Sequence, residues 1–241
     1  MKNFKVFHLS GYEVPKIVEN RRNNWIEYGT DNNYFGQLIK RYLGSPTNSR
    51  CVNGISDMIY GRGINALDSD DKPGMFAEMK SILDPKDVHK IVNDLKMLGQ
   101  AAVQVVYKNR KRQISGLFHF PMETLRAEKA KDGKIQAYYY HNDWKNIKPS
   151  DKPRKIPTFG NGTRAQRIEL YIIKPYKPGF YYYSPVDYQG SLQYAELEEE
   201  ISNYHLNNIK NGWRNKVIKI KHLLESEDSK HAAGIAYIVD D

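Results

Sequence analysis

The sequence predicts an α+β fold in which N-terminal helices are followed by an antiparallel sheet and by one long C-terminal helix. Three observations support this prediction. Capped helical patterns recur within residues 35–98, strand patterns rich in β-branched and aromatic residues recur within residues 101–183, and an acidic helical pattern spans residues 184–212. Helices that are separated from strands along a chain are typical of α+β proteins. The 241 residues suffice for one large domain or two small ones.

The segment before the helices has little pattern. We expect residues 1–30 to form an extended arm, because Pro, Asn and Gly interrupt any regular element there. The side chains of Trp25 and Tyr28 are expected to attach this arm to the rest of the protein. A short helix is predicted for residues 35–43. In the next helix Ser45 caps the N-terminus and Pro46 occupies the first helical position. The residues of its apolar face and its glycine stop are Val52, Ile55, Met58, Ile59, Gly61 and Gly63.

Two more helices and a set of strands follow. The helices are predicted for residues 76–83 and 85–98, the second with Asp84 before its first-position proline and Gly99 closing it. The Asp132-Gly133 pair predicts a tight hairpin, and residues 109–112 predict another turn. Strands are predicted for residues 101–107, 114–120, 125–129, 135–140 and 168–173.

Residues 145–167 are predicted to be a linker, because prolines, glycines and basic residues crowd this stretch. One interpretation is a basic loop that faces DNA or a neighbouring subunit; the other is a solvated surface loop. The residues that would carry the first interpretation are Lys148, Lys152, Arg154 and Lys155.

The long C-terminal helix has two possible starts. Ser184 and Pro185 form one cap and first-position pair, and Gly190 with Ser191 offers a later start. Gly212 is the predicted stop. An aromatic and aliphatic stripe lies on one helical face, formed by Tyr194, Leu197, Ile201 and Tyr204. The glutamates at 198–200 are interpreted as a solvated face.

The amino-acid composition restricts the kinds of partner and site that the protein can have. Lys and Arg number 37 against 28 Asp and Glu, so the net charge is +9, which favours polyanionic partners unless the surface is merely basic. Cys51 is the only cysteine, which excludes an intramolecular disulfide and a cysteine-based zinc site. No run of about 18 apolar residues exists, so no membrane span is expected, and a membrane is not among the expected partners.

The sequence offers no recognisable catalytic constellation. It contains no glycine-rich phosphate loop, its seven histidines are scattered, and Ser184 lacks the glycines of a nucleophile elbow. We therefore expect no catalytic residue, no metal and no cofactor, and no enzymatic activity.

Two motifs carry a resemblance to a known family. The first is Ser45-Pro46-Thr47, a helix, and then Ile59-Tyr60-Gly61-Arg62-Gly63-Ile64; the second is Ser184-Pro185, an acidic helix, and Asn211-Gly212. In this order they resemble the N-terminal part of the portal proteins of tailed bacteriophages, most closely those of phages of Bacteroidetes-type bacteria. The resemblance covers residues 11–212. Residues 213–241 diverge, so we expect a truncated portal with a tail that is not native to the family.

The resemblance implies a wing-like domain over residues 31–183 and a stem-like helix over 184–212, whose stripe would face other subunits. For a full-length portal it implies a ring of twelve copies at a capsid vertex through which double-stranded DNA passes without base recognition, with terminase and head-completion proteins as partners; this chain would be a truncated version. The location would be the virion, and the host cytoplasm during assembly. The glutamates at 196–200 would keep DNA from sticking. In the tail, residues 235–239 predict a short strand with little to pair with.

Two other classes of function compete with this interpretation. A stand-alone basic nucleic-acid-binding module is supported by the net charge, the basic loop and the 18 tyrosines, and it predicts tight, salt-dependent DNA binding by a monomer. An enzyme of nucleic-acid metabolism would need carboxylates gathered at a metal, for which Asp57, Glu78 and Asp87 are the candidates.

Overall fold

A computed structural model describes residues 15–20, 23–108, 113–163 and 166–210, and the backbone of two short strands at 218–219 and 237–238. The chain divides into two compact units. The larger unit is Tyr12–Glu199, and the described part of the smaller unit comprises residues 200–210 and the two short strands. The fold is α+β, as predicted. Within the described ranges, no helix combines the length and the apolar character needed to cross a bilayer.

The N-terminal arm contains a pair of strands in its described part. Strands β1 (Ile17–Val18) and β2 (Glu27–Tyr28) pair antiparallel, with Ile17 opposite Tyr28. Tyr28 is fully buried, and Trp25 forms an isolated bridge with Glu128. Both aromatic residues therefore dock this segment, but its described backbone is paired rather than simply extended.

Four helices follow: α1 (Tyr34–Gly44), α2 (Pro46–Tyr60), α3 (Pro73–Ile82) and α4 (Pro85–Leu98). The predicted caps are confirmed. The Ser45 hydroxyl accepts a hydrogen bond from the backbone N–H of Asn48 at 3.1 Å, and the Asp84 carboxylate accepts one from Lys86 N–H at 2.7 Å. Gly99 ends α4 in the left-handed region, with φ of 78°.

Helix α2 buries only one edge of the predicted apolar face. It contacts α4, and its buried residues are Val52, a member of that face, and Ser56. Ile55, Met58 and Ile59 remain exposed, Met58 by 75%. The periodicity predicted the position of the helix correctly, but the side of the helix that is buried is the one that carries Val52 and Ser56.

The first sheet has the order β4–β3–β8 and is antiparallel throughout. Its strands are β3 (Ala101–Lys108), β4 (Gln113–Phe120) and β8 (Ile168–Ile173), close to the predicted bounds. Val105 of the central strand lies opposite Leu117 on one side and Glu169 on the other. Ala101 and Val103 on one face of β3 pack with Ile91 of α4. The predicted turn at 109–112 lies outside the described residues.

The second sheet has the order β5–β6–β7, with strands β5 (Leu125–Ala127), β6 (Ala137–Tyr140) and β7 (Arg154–Pro157). The predicted turn between β5 and β6 is confirmed, because Asp132 and Gly133 have φ of 50° and 71°, as a type I′ turn requires. The linker predicted for 145–167 is wrong at β7. Ile156 lies opposite Tyr138 and is buried, so this stretch completes the sheet.

Aromatic residues from distant segments form the main core. Tyr28 stacks on Tyr183 with ring centroids 4.2 Å apart and an interplanar angle of 11°. Phe35 of α1 meets both rings edge-on. The N-terminal strand pair, α1 and the segment after β8 therefore share one core.

The last long helix, α5, spans Leu192–Lys210 and follows a 3₁₀ turn at Gln189–Ser191. The earlier start at Ser184 is wrong and the later start is confirmed. Ser184 is buried, its N–H donates to the Gln100 side chain at 3.1 Å and its hydroxyl donates to the Pro175 carbonyl at 2.9 Å. Its hydroxyl is thus engaged away from any helix. The predicted stop at Gly212 lies outside the described residues.

The strand predicted near the C-terminus has a partner. Strand β10 (Tyr237–Ile238) pairs antiparallel with β9 (Ile218–Lys219), with Tyr237 opposite Lys219. The expectation that this strand has little to pair with is therefore wrong. The described part of this pairing consists of two residue pairs. The other residues of 211–241 lie outside the described residues.

Candidate functional site

The first turns of α5 lie against the corner where α1 ends and α2 begins. Ala195 is the buried residue of the helix, and Leu192 is half-buried against the main core. Three carboxylates also contact the corner. We call Glu196, Glu198 and Glu199 the carboxylate clamp.

Glu198 binds the N-terminus of α2. Its carboxylate accepts hydrogen bonds from the Ser45 hydroxyl, from the Thr47 hydroxyl at 2.7 Å and from the Thr47 N–H at 3.3 Å. Ser45, the cap of α2, is itself buried. A negative charge at this position also interacts favourably with the helix dipole. The hydrogen bonds from Ser45 and Thr47 lower the pKa of Glu198 below its ordinary value.

Glu196 and Glu199 bind Arg41, in the last turn of α1. Arg41 Nη1 lies 2.7 Å from Glu199 Oε2, and Arg41 Nη2 pairs with Glu196 Oε1. Lys40 Nζ lies 3.4 Å from the other oxygen of Glu199. The interpretation of residues 198–200 as a solvated face is therefore wrong for Glu198 and Glu199. Glu200 is exposed.

The segment that leads into α5 is held separately. The Asp187 carboxylate pairs with Lys96 of α4 and lies 3.0 Å from Lys177 Nζ. The hydrogen bond from Lys96 is the main cause of the lowered pKa of Asp187. This anchor fixes the chain to α4 before the helix begins.

The predicted stripe of α5 is exposed along its length. Successive members are three, four and three residues apart, so they share one helical face. The exposed fractions of Tyr194, Leu197, Ile201 and Tyr204 are 73%, 43%, 48% and 57%. These side chains offer an aromatic and aliphatic surface on which a neighbouring molecule could pack.

The four candidate basic residues are all exposed, but they do not form one loop. Lys148 and Lys152 precede β7, whereas Arg154 and Lys155 belong to it. Lys155 Nζ also pairs with the carboxylate of Glu128, one of the buried charged residues. The free positive charge of this surface is therefore smaller than the sequence indicates.

The carboxylates considered for a metal site have other neighbours. Asp57 Oδ1 lies 3.2 Å from His89 Nε2, and Asp87 Oδ1 lies 3.0 Å from Lys90 Nζ. Among the residues that the structure describes, no three His, Cys, Asp or Glu side chains are grouped so that they could hold a metal ion.

A partly buried pair formed by an aspartate and a histidine was not predicted from the sequence. Asp94 Oδ2 of α4 lies 2.8 Å from His119 Nε2 of β4 and accepts a hydrogen bond of 3.3 Å from the Met122 N–H. Burial raises the pKa of the neighbouring Glu123. Asp94 and His119 are 25 residues apart and in different elements, so no local pattern could have paired them.

No protein-family model and no curated protein matches the sequence. Solved structures do share the fold. One is a chain of the neck of an empty gene transfer agent (GTA) particle computed with C6 symmetry, at a TM-score of 0.58 and 12% identity, covering 80% of this chain and 52% of that one.

Two further structures agree. A chain of the virion of a native GTA particle has a TM-score of 0.57, and a chain of the neck of a native GTA particle computed with C12 symmetry has 0.55. Each is 13% identical, and each match covers 80% of this chain and 51% of the other. This chain thus spans about half the length of the chains it matches. At this identity the likeness shows a common fold.

Proposed function

We propose that this protein is a portal-like structural subunit of a phage-type virion. The observation that carries the proposal is the fold shared over 80% of the chain with a chain from a GTA particle neck. The Ser-Pro-capped helix α2 and the acidic helix α5 of the two motifs fall within the described residues. Ser184-Pro185 precedes α5 without starting it, and Asn211-Gly212 lies outside the described residues. The role is structural rather than enzymatic.

The proposed assembly is a ring of twelve copies at a capsid vertex. Two of the similar chains belong to necks computed with C6 and C12 symmetry, which supports a closed ring. A head-to-tail interface closes into such a ring when its rotation divides the full circle. The exposed stripe on α5 is the candidate subunit surface, double-stranded DNA would pass through the ring, and terminase and head-completion proteins would dock on it.

The mass of the purified full chain in solution tests the ring. We expect a particle of twelve subunits by light scattering, and a ring in electron micrographs. Replacing Tyr194 and Leu197 by Ser should reduce the assembly to smaller species, because both apolar side chains would be lost from the interface. Gln193→Ser, an exposed neighbour outside the stripe, should not. A wild-type chain that stays monomeric at high concentration would overturn the proposal.

A DNA-binding assay separates this role from the stand-alone nucleic-acid-binding module. The module is favoured by the exposure of Lys148, Lys152 and Arg154. A portal subunit should bind duplex DNA weakly, whereas the module should bind tightly as a monomer. For the module, replacing one phosphate-contacting lysine by Ser should reduce the slope of log K against log salt by about 0.9. Tight binding with that reduction would favour the module.

A further inference from the structure

Helix α5 and the segment before it are held by different kinds of contact. Tyr183, Ser184 and Val186 are almost fully buried. Gln189 Nε2 donates to the Tyr34 hydroxyl, and the Tyr188 hydroxyl donates to the Met97 carbonyl at 2.7 Å. The chain up to residue 189 is therefore fixed by apolar burial and by neutral hydrogen bonds, in addition to the ion pairs of Asp187 with Lys96 and Lys177.

The first two turns of α5 are less buried, although Leu192 is half-buried against the main core. In residues 192–199 only Ala195 is buried, and the stripe residues Tyr194 and Leu197 point into solvent. The contacts with the α1–α2 corner that the structure describes run mainly through the carboxylate clamp. Charged contacts at a partly exposed surface are weak individually and are screened by salt, whereas apolar burial is not.

A short turn separates the two regions. The 3₁₀ turn Gln189–Ser191 lies between the anchored segment and α5, and the Ser191 N–H bonds the Tyr188 carbonyl at 2.8 Å. A side chain placed on Gly190 would meet nothing within 4 Å, so the turn is open to solvent. A change of backbone angles there would move the helix, withdrawing Leu192 and Ala195 from their contacts, while Tyr183, Ser184 and Val186 stay buried.

We propose that the carboxylate clamp is a charge-operated latch. Neutralising or screening Glu196, Glu198 and Glu199 releases the first two turns of α5 from the α1–α2 corner, while the chain up to residue 189 stays in place. The charged groups that face the clamp are Lys40 and Arg41 of α1, and its neutral partners are Ser45 and Thr47. This inference goes beyond the proposed function, since it concerns contacts within one chain and does not require a ring.

Cys51 allows the latch to be tested directly. It is the only cysteine and is exposed on α2, so a spin label there and a second one at Leu197→Cys report the distance between the corner and the helix. Labelled chains are diluted with unlabelled Cys51→Ser protein, so that the distance is measured within one chain. In low salt we expect one narrow distribution.

The triple variant Glu196→Gln, Glu198→Gln and Glu199→Gln should shift or broaden that distribution by about 5 Å or more, on the order of one helical turn. Wild-type protein in about 1 M salt should move in the same direction, because the screening length then falls to about 3 Å. Glu200→Gln is the matched control. It removes one negative charge, as the single variant Glu198→Gln does, one residue beyond the clamp and at an exposed position, and it should leave the distance unchanged.

An unchanged distribution in the triple variant and in high salt would overturn the latch. A shift in Glu200→Gln as large as that in Glu198→Gln would also overturn it, because the effect would then follow net charge and not the clamp. If the triple variant does not fold, Glu198→Gln and the salt titration of the wild type decide the question. Light scattering on unlabelled wild-type protein, in which Leu197 is intact, reports the ring separately, so failure of the latch and failure of the proposed function are distinguishable.

Discussion

The guanidinium group of Arg126 binds Asn32 twice, with Nε donating to the side-chain Oδ1 and Nη2 to the backbone carbonyl, each at 2.6 Å. Nη1 also donates to the carbonyls of Glu123 and Leu125. Arg126 is 1% exposed and joins β5 to the turn before α1, where Asn32 has φ of 53°. Burial lowers the pKa of Arg126 to about 10, so the group remains charged at neutral pH.

Replacing Arg126 by Met should therefore be strongly destabilising. It would leave carbonyl oxygens and the Asn32 side chain buried with fewer donors, and each unsatisfied group costs about 1–3 kcal/mol. We expect the free energy of unfolding to fall by about 3 kcal/mol or more in chemical denaturation. Arg154→Met, at an exposed position on β7, should change it by no more than about 0.5 kcal/mol. A loss below about 1 kcal/mol for Arg126→Met would contradict this role.

Gly99 gives a prediction about close packing. Its φ is +78°, and a Cβ there would lie 2.6 Å from the Ser184 carbonyl oxygen and 2.7 Å from that of Pro185. Gly99→Ala should cost the strain of a left-handed residue, about 1–3 kcal/mol, and in addition the displacement of the segment that leads into α5. Gly133→Ala is the matched control, with φ of +71° and nothing within 4 Å. Equal losses of stability in the two variants would show that the packing at Gly99 is unimportant.

Ser45 serves two elements, since it caps α2 and donates to Glu198 of α5. Ser45→Ala should lower the free energy of unfolding by about 1 kcal/mol for the lost cap, and further for the partner lost to Glu198. Ser49→Ala, whose hydroxyl donates to the Pro46 carbonyl at an exposed position, should cost less. Thermal or chemical denaturation of both variants measures the difference, and the reverse order would contradict the assigned contacts.

The sequence predicted those features that depend on a few neighbouring residues. The Ser45-Pro46 and Asp84-Pro85 helix starts and the Asp132-Gly133 turn are confirmed, because caps and tight turns are local. The order of helices and strands, and so the fold class, follows from the same local signals.

Contacts between distant residues explain what the sequence did not predict. Ser184-Pro185 has the same pattern as Ser45-Pro46, but Gln100, 84 residues earlier, binds the Ser184 N–H and the helix starts later. Glu198 was assigned to solvent because its partner Ser45 lies 153 residues away. The sequence around Glu198 does not reveal whether its carboxylate faces solvent or binds the N-terminus of another helix, because only the fold brings that N-terminus near.

Buried tyrosines predict how stability depends on alkaline pH. Burial raises the pKa of Tyr183 to about 12 from its ordinary value of 10, and burial also raises the pKa of Tyr138 and Tyr188. Below pH 10 these groups are neutral in both states. Above it the unfolded chain releases protons that the folded chain retains, so the free energy of unfolding falls, by up to about 3 kcal/mol for Tyr183.

Tyr183→Phe tests this dependence. The variant should be less stable at neutral pH, because the Tyr183 hydroxyl donates to the Ile26 carbonyl at 2.6 Å and accepts from the Ala127 N–H at 3.1 Å. It should also lose less stability above pH 10, since one raised pKa has been removed. Denaturation series at neutral and alkaline pH measure both effects, with Tyr176→Phe, an exposed tyrosine, as the control. The same alkaline loss in Tyr183→Phe as in the wild type would show that Tyr183 does not carry it.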